Sequence, residues 1–458
     1  MTNRASITFY GGAGTVTGAN FLLDTGSKKI LIDCGALERE HLSPNQCDLE
    51  NLKSFPYDPK SIDTLIITHA HQDHIGRIPK LVRDGFSGAI YSTPATKDLS
   101  AIMFEDALSI MRSDAERHGC ESMYEKGDID RTLSLWKTRE YHEPFGIGEN
   151  AVEFLDAGHI LGSALVKLTR NNRTIIFTGD IGNSPEPLLH DTEPPVGANY
   201  LVMESVYGDR LHEDRAARRD ILKHAVENAR HKKGTLLVPS FSLERTQILL
   251  FELNEMIERK EIAPIPVYLD APLAISVTKV FEKYKNDLNP QAQEEFTRGR
   301  DPFSFPGLLQ TPDVAESRKI HGMPDPKIII AGSGMSSGGR IRAHEARYLP
   351  DERASILLTG YQAPGSLGRR IQDGEKHVDI AGENINVRAE VGVLSGYSGH
   401  ADRDQLLSFA ENAGEPLERV FVVMGEPKAS LFLAQRIKDF LGIEAIVPEK
   451  GQSFDVEW

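Results

Sequence analysis

The amino-acid sequence predicts an α/β protein of two domains, with a mostly parallel sheet in its middle third. Three observations lead there. At 458 residues the chain exceeds the roughly 250–300 residues over which a single core keeps growing. Its first two hundred residues alternate short strand patterns with polar turns and a few helices. From about Arg210 the texture shifts to longer strand–helix units, whose alternation describes parallel strands joined by crossover helices.

Taken in order, strand patterns fall at Ile7–Tyr10, Lys29–Asp33, Leu65–Thr68, Ala89–Tyr91, Val152–Leu155, Ala164–Leu168, Thr174–Thr178 and Tyr200–Met203. These runs are short, apolar and rich in β-branched residues, as half-buried or buried strands are. The middle third reads as helix 213–231, strand 235–239, helix 242–259, strand 266–269 and helix 272–284. After a looser stretch at 290–312 come helix 313–320, strand 327–331, helix 338–348 and strand 354–359. From about 384 the pattern resumes with strand 385–394, helix 402–412, strand 419–423, helix 428–441 and strand 444–447. The series contains no repeat, low-complexity tract or coiled coil. The Pro-rich patches Ser184-Pro-Glu-Pro and Glu193-Pro-Pro read as surface turns.

Bulk properties exclude several classes. An apolar fraction of 40% and a charged fraction of 26% are those of an ordinary soluble globule. No apolar run approaches the roughly 18 residues of a membrane helix, and the N-terminus enters a strand pattern with no signal-peptide core. Cys34, Cys47 and Cys120 are odd in number and widely spaced. That spacing fits a reducing cytoplasm and offers no cysteine-based metal site. A formal net charge of −15 argues against non-specific nucleic-acid binding through surface charge. It still allows a nucleic-acid enzyme whose positive charge is local, in a cleft beside metal ions.

The most informative stretch is His69-Ala-His71-Gln-Asp73-His74. A β-branched run precedes it and a helical pattern, Ile75-Gly-Arg-Ile-Pro-Lys-Leu-Val-Arg, follows. The motif therefore lies in the loop between a strand and a helix. At the extended end the period of two puts His69 and His71 on one side, while Asp73 and His74 point from a tighter turn to a neighbouring place. Neutral imidazole and carboxylate at this density suit a zinc-class divalent ion. Two separate pairs suggest two ions a few ångströms apart, an arrangement that activates water and grips a phosphoryl group. Further candidates stand at strand ends: Asp33 after Ile30-Leu-Ile, His159 in Asp156-Ala-Gly-His159-Ile-Leu-Gly, and Asp180 after Thr174-Ile-Ile-Phe-Thr-Gly.

In their order and neighbours these segments resemble the metallo-β-lactamase superfamily. Beyond them the chain is similar to its β-CASP branch. The acidic motif A of that branch matches Glu204 in Met203-Glu204-Ser-Val-Tyr-Gly-Asp-Arg, and its motif B histidine matches His400 in Tyr397-Ser-Gly-His400-Ala-Asp. Pro239-Ser-Phe-Ser-Leu-Glu-Arg245, Leu269-Asp-Ala-Pro-Leu-Ala, Gly334-Met-Ser-Ser-Gly-Gly-Arg340 and the stretch from Gly360 to Arg369 carry the likeness through the middle third. Within the branch the chain most resembles prokaryotic RNases related to the nuclease subunit of the cleavage and polyadenylation factor.

The resemblance implies an αββα metallo-β-lactamase sandwich at 1–208 and 375–458, interrupted by a β-CASP α/β domain of mostly parallel sheet at 209–374. It implies one zinc on His69, His71 and His159, and a second on Asp73 and His74, with Asp180 bridging. Asp33 would orient a histidine ligand. Glu204 would set the orientation and charge of His400, which would meet the scissile phosphate; Asp73, His400 and Glu204 are thus the expected catalytic group. Arg245, Arg340 and Arg369, in Gly- and Ser-rich turns of the inserted domain, are expected to hold the nucleic-acid backbone across the interdomain cleft.

One departure bears on the second ion. Family RNases carry a further histidine about two dozen residues after motif B, where this chain has Val422-Val-Met424-Gly-Glu-Pro. A thioether is a poor zinc ligand beside hard carboxylates, so the second site is expected to be weaker. The expected function is hydrolysis of RNA phosphodiester bonds by a cytoplasmic enzyme acting on single-stranded RNA, with no membrane partner and a homodimer among the admissible assemblies. Met424 keeps open a DNA nuclease of the same branch and a weakly active or silent RNA-binding subunit. A small-molecule hydrolase of the same fold is disfavoured by the inserted domain and by Glu204 and His400.

Overall fold

In the computed structural model, which describes residues 4–37, 47–212, 216–360, 362–363 and 365–458, the chain forms two units. Residues 1–211 and 400–458 make the first, and residues 212–399 the second.

The first unit holds two seven-stranded sheets. One runs in the order Ser453–Glu457, Arg4–Gly11, Asn20–Asp24, Lys29–Ile32, Thr64–Ile66, Ala89–Ser92 and Trp136–Thr138. The other runs Glu444–Ile446, Arg419–Val423, Tyr200–Glu204, Arg173–Phe177, Ala164–Arg170, Asn150–Asp156 and Phe145–Ile147. The period of two sorts their side chains. Ile7 and Phe9, Phe21 and Leu23, and Ile30 and Ile32 meet Val166 and Leu168, Ile175 and Phe177, and Phe421 and Val423 in one buried cluster. The alternate residues Leu165, Ile176, Leu201, Met203, Val420 and Val422 pack with Leu406, Phe409, Leu433 and Ile437. Those last four lie on helices Arg403–Glu411 and Pro427–Leu441. This is the layered α/β architecture expected. Phe421 sits at its centre, fully buried, with ring centroids 5.2 Å from Phe9 and 5.3 Å from Phe454. Phe421→Ala is expected to cost about 3–5 kcal/mol through lost burial and the cavity left behind. Thermal unfolding followed by circular dichroism should show a midpoint roughly 10 °C lower.

The second unit is organised on a six-stranded, all-parallel sheet: Leu308–Gln310, Val267–Asp270, Lys327–Ala331, Thr235–Pro239, Ser355–Thr359 and Glu390–Leu394. Four of its strands lie within a residue of their expected positions. The helix expected from 213 is described from Ala216 to Lys232, and residues 213–215 lie outside the described residues.

Three expectations are corrected. A single strand over 385–394 is replaced by two pieces. Glu383–Asn386 forms a hairpin with His377–Ile380, and Glu390–Leu394 becomes an edge strand beside Ser355–Thr359. The break has a cause: the N–H groups of Arg388 and Ala389 both turn to the Leu349 carbonyl, at 2.8 and 2.9 Å. Residues 375–399 consequently belong with the second unit, and the chain re-enters the first at His400. The cysteines are not all free thiols, since Cys47 and Cys120, 73 residues apart, form a disulfide. Cys34 remains a buried thiol, pushed up to about 12 by that burial. Among the elements not anticipated are strand Asn20–Asp24 and the helix Pro94–His118. The helix is capped by the Thr93 side chain and ended by Gly119 in the left-handed region. Among the described residues no helix is long and apolar enough to cross a membrane.

Candidate metal centre

Strand Thr64–Ile66 runs out just before the His69 motif, and His71 stands at the N-terminus of the short helix Gln72–Ile75. The loop is held against the segment after strand Lys29–Ile32. The Cys34 N–H donates to the His74 carbonyl and the Ala36 N–H to the Gln72 carbonyl, at 2.8 and 2.9 Å. Gly35 permits this approach, because a Cβ there would lie 1.5 Å from the Asp73 carbonyl oxygen.

Two donor groups result. In the first, His71 Nδ1 lies 3.1 Å from His69 Nε2 and 3.2 Å from His159 Nε2. Asp180 Oδ2 is 3.3 Å from His69 Nε2 and 3.4 Å from His159 Nε2. Four donors on a tetrahedron at zinc–ligand distances would be about 3.3 Å apart, so this group fits such an ion. In the second group, His74 Nε2 lies 3.3 Å from Asp180 Oδ1 and 3.7 Å from Asp73 Oδ2. Asp180 therefore turns one oxygen to each group. His74 Nε2 and Asp180 Oδ1 are both buried without a hydrogen-bond partner. Two electron-rich atoms facing each other in that state suit a cation between them.

The groups behind these donors set their direction. Asp33, at φ 58°, accepts from Thr68 N–H and Oγ1 at 2.9 and 2.8 Å, and lies 2.7 Å from His74 Nδ1. With the Nδ1 proton engaged there, a His74 that holds an ion would turn the Nε2 lone pair to the ligand side. Thr68 was missed in the sequence, although its position before the motif and at a strand end was the available signal. Ser163 Oγ accepts from the N–H groups of His159 and Ile160, at 3.1 and 3.2 Å, and fixes that turn.

Burial and mutual repulsion hold the His69 and His71 imidazoles below their ordinary range, His71 well below it. Burial likewise opposes charge on His74 and Asp180, but the pairing of opposite charges outweighs it. Asp180 is driven well below the carboxylate range by His74, His69 and His400, and His74 is raised well above the imidazole range by Asp180, Asp33 and Asp73. Burial raises Asp73.

Glu204, at the end of strand Tyr200–Glu204, is fully buried. It lies 3.1 Å from His400 Nδ1 and accepts the Ile181 N–H at 2.6 Å. His400 enters through a bridge to Gly182, and its ring centroid is 4.7 Å from that of His159. Burial opposes the charged imidazole, but Glu204 and Asp180 outweigh it and raise His400 to about 9.

Of the other candidate residues, Arg245, Arg340 and Arg369 belong to the second unit and Met424 to the first. Arg340 donates through Nη1 to Asp270 and the Thr311 carbonyl, at 2.7 and 2.6 Å, and through Nη2 to the Pro312 carbonyl at 3.0 Å. Arg369 donates to Asp373 at 2.9 Å. Arg245 begins helix Arg245–Glu258 and lies beside Gly360, where a Cβ would be 3.3 Å from its Nη1. Within the Gly360–Arg369 stretch, positions 361 and 364 lie outside the described residues. Met424 is 1% exposed, at φ 47°, in the apolar cluster with Ala13 and Phe21. Its sulfur presses on Gly12, where a Cβ would lie 2.5 Å away.

This geometry has clear relatives. Residues 13–240 match the metallo-β-lactamase superfamily, 246–371 the Beta-Casp domain, and 384–448 the Zn-dependent metallo-hydrolase RNA specificity domain. A ribonuclease of Thermus thermophilus is 36% identical over 427 residues, covering 93% of this chain and 94% of that protein. An RNase J-like protein of Methanocaldococcus jannaschii is 30% identical, covering 97% of this chain and 98% of its own. The transcription termination factor FttA of Methanosarcina mazei is 32% identical over 96% of this chain and 69% of its own length. A crystal structure of a protein of unknown function from Enterococcus faecalis, at 14% identity, shares the fold with a TM-score of 0.57, covering 99% of this chain and 100% of that one. The chain belongs to the metallo-β-lactamase superfamily, in its β-CASP branch.

Proposed function

We infer that the chain is a metal-dependent ribonuclease, hydrolysing phosphodiester bonds of single-stranded RNA. The observation that carries this reading is the two-sided Asp180 carboxylate, shared by the three-histidine group and the Asp73–His74 group, with His400 4.0 Å away. The ribonuclease and RNase J-like relatives support RNA as the substrate, as does the match to an RNA specificity domain.

The proposed cofactor is zinc at two positions, one on His69, His71 and His159, the other on Asp73 and His74, with Asp180 common to both. When bound, such ions supply activation of water at neutral pH and neutralise charge on phosphoryl oxygens. The chain's own groups do the rest. Asp73, raised by burial, accepts the proton released when water adds to phosphorus. Glu204 holds His400 by Nδ1, so that Nε2 presents a proton to the departing oxygen or stabilises charge there. Arg245, Arg340 and Arg369 are proposed contacts to the RNA backbone. Of these Arg369, 40% exposed, is more accessible than Arg340, which is 20% exposed.

Met424 makes the two sites unequal. The Asp73–His74 group lacks a nitrogen donor at position 424, while the three-histidine group is complete. By comparison with the ~10–100-fold loss of affinity that follows even from changes behind the ligands, a second ion lacking a donor is expected to leave on dialysis. Elemental analysis after identical dialysis should find one tightly held metal per chain in the wild type and more in Met424→His. Two ions fully retained in the wild type would mean that another residue completes the site.

The reading as a whole is tested by metal analysis combined with cleavage of 5′-labelled RNA and DNA oligonucleotides of the same sequence. RNA cleavage that stops on chelation is expected. Cleavage of DNA alone would favour the second reading, a DNA nuclease, which the apolar residue at position 424 suggests.

A further inference from the structure

Beside the metal centre, the turn that follows Glu204 carries an aromatic ring and a cation that the mechanism above does not use, with a second cation, Lys428, reaching the turn from helix Pro427–Leu441. The chain passes through Ser205-Val-Tyr207-Gly-Asp209-Arg210, and this turn is stitched to the segment bearing His400. Tyr207 forms a parallel bridge with Asp402, and the Arg403 N–H donates to the Arg210 carbonyl at 3.1 Å. The Tyr207 ring centroid lies 6.2 Å from that of His400. The Arg210 guanidinium lies 5.7 Å from the Tyr207 centroid, within cation–π range. Asp209 is shared by two cations, Arg210 Nε at 2.8 Å and Lys428 Nζ at 3.4 Å. Their side chains are 47% and 86% exposed. Glu426 lies within Coulombic reach of Arg210 and tempers the excess positive charge.

Tyr207 is thus in contact range of His400 on one side and of the Arg210 guanidinium on another. A ring beside the histidine offers a face to a base or ribose, which any nucleotide can use. A half-exposed guanidinium one step further offers paired donors to a phosphate. We propose that Tyr207 and Arg210 form the subsite for the nucleotide adjoining the scissile phosphate, Tyr207 supporting its base or ribose and Arg210 pairing with its phosphate. This rests on the ribonuclease reading. It adds a cationic contact inside the first unit, where Arg245, Arg340 and Arg369 do not lie.

The test uses the full chain and the variants Arg210→Gln, Tyr207→Ala and Tyr207→Phe, each checked for fold by circular dichroism. Binding of fluorescein-labelled single-stranded RNA is read by anisotropy with chelator present, so that it does not depend on turnover. Cleavage of the same RNA is compared with hydrolysis of methyl p-nitrophenyl phosphate, which has no neighbouring nucleotide. Arg210→Gln should weaken RNA binding about tenfold and reduce the log–log salt slope by about 0.7, the value of one phosphate contact on a single strand. Tyr207→Ala should weaken binding by roughly tenfold or more, as loss of a stacking platform does, and Tyr207→Phe should restore it. The losses should fall on KM more than kcat, and exceed those on the small ester at least about fivefold. Equal losses on both substrates, or unchanged binding in the variants, would overturn the subsite. Wild type that binds RNA without cutting it, with weakened binding in the variants, would overturn the ribonuclease reading and keep the subsite. Wild type that neither binds nor cuts RNA would overturn both.

Discussion

Asp180→Ala is expected to abolish phosphodiester cleavage and to empty both donor groups of metal. Its two oxygens face different partners, Oδ2 toward His69 and His159 and Oδ1 toward His74. Among the described residues no other side chain belongs to both groups. The change also deletes a carboxylate that His74, His69 and His400 hold ionised against its burial. His69 and His74 each then lose a carboxylate oxygen 3.3 Å away. Changes behind a metal ligand already cost ~10–100-fold in affinity or activity, so loss of a shared ligand should exceed that range. The measurement is metal content by elemental analysis together with the rate of RNA cleavage, on protein whose circular dichroism spectrum matches wild type. Retention of wild-type metal and more than a tenth of the activity would show that Asp180 is not the shared ligand. Asp73→Ala should also abolish cleavage, through the second group alone, with the metal of the three-histidine group kept.

His400→Ala is expected to lower turnover by about 10²–10⁴-fold, the usual range for a positioned acid or base, while bound metal stays near the wild-type level. Its Nδ1 is 3.1 Å from Glu204 and 4.0 Å from Asp180 Oδ2, so it approaches the three-histidine group without sharing its close spacing. Glu204→Gln should give a smaller loss, because the imidazole keeps a hydrogen-bond partner but loses the charge that helps raise it to about 9. The two roles separate on one plot of activity against metal content. Asp180→Ala falls on both axes and His400→Ala on one. Metal loss in His400→Ala equal to that in Asp180→Ala would make His400 a ligand, since Asp180, Glu204 and His400 are themselves close enough to hold an ion.

The candidate metal ligands could be picked out in the sequence because strand ends expose polar side chains in predictable places. Asp33, His159 and Asp180 each follow an apolar run whose burial is plain from composition, and the His69 motif lies in a short interval after a strand. Thr68 was harder to find, because its role is to bridge Asp33 and two histidine rings, which is a property of three segments at once. The strand over 385–394 failed because its composition is continuous while its hydrogen bonding is not: two N–H groups are captured by Leu349. The disulfide could not be inferred from spacing, since Cys47 and Cys120 are 73 residues apart. The arginines show the same limit. Arg340 stands in a Gly-rich turn, and its hydrogen bonds to Asp270 and two carbonyl oxygens could not be read there, because those partners lie 28 residues or more away in sequence.

The sheet order has a consequence for the protein while it is being made. Strand Arg419–Val423 lies between Tyr200–Glu204 and Glu444–Ile446, and strand Ser453–Glu457 flanks Arg4–Gly11. Translation delivers the chain from its N-terminus, and domains fold as their sequence becomes complete. A nascent chain paused before residue 400 has the histidines for metal. It lacks His400, and the strand bearing Glu204 has no neighbour on one side. Strand Tyr200–Glu204 therefore gains its neighbour Arg419–Val423 only after the segment beyond His400 has emerged, so the second sheet is closed late in synthesis.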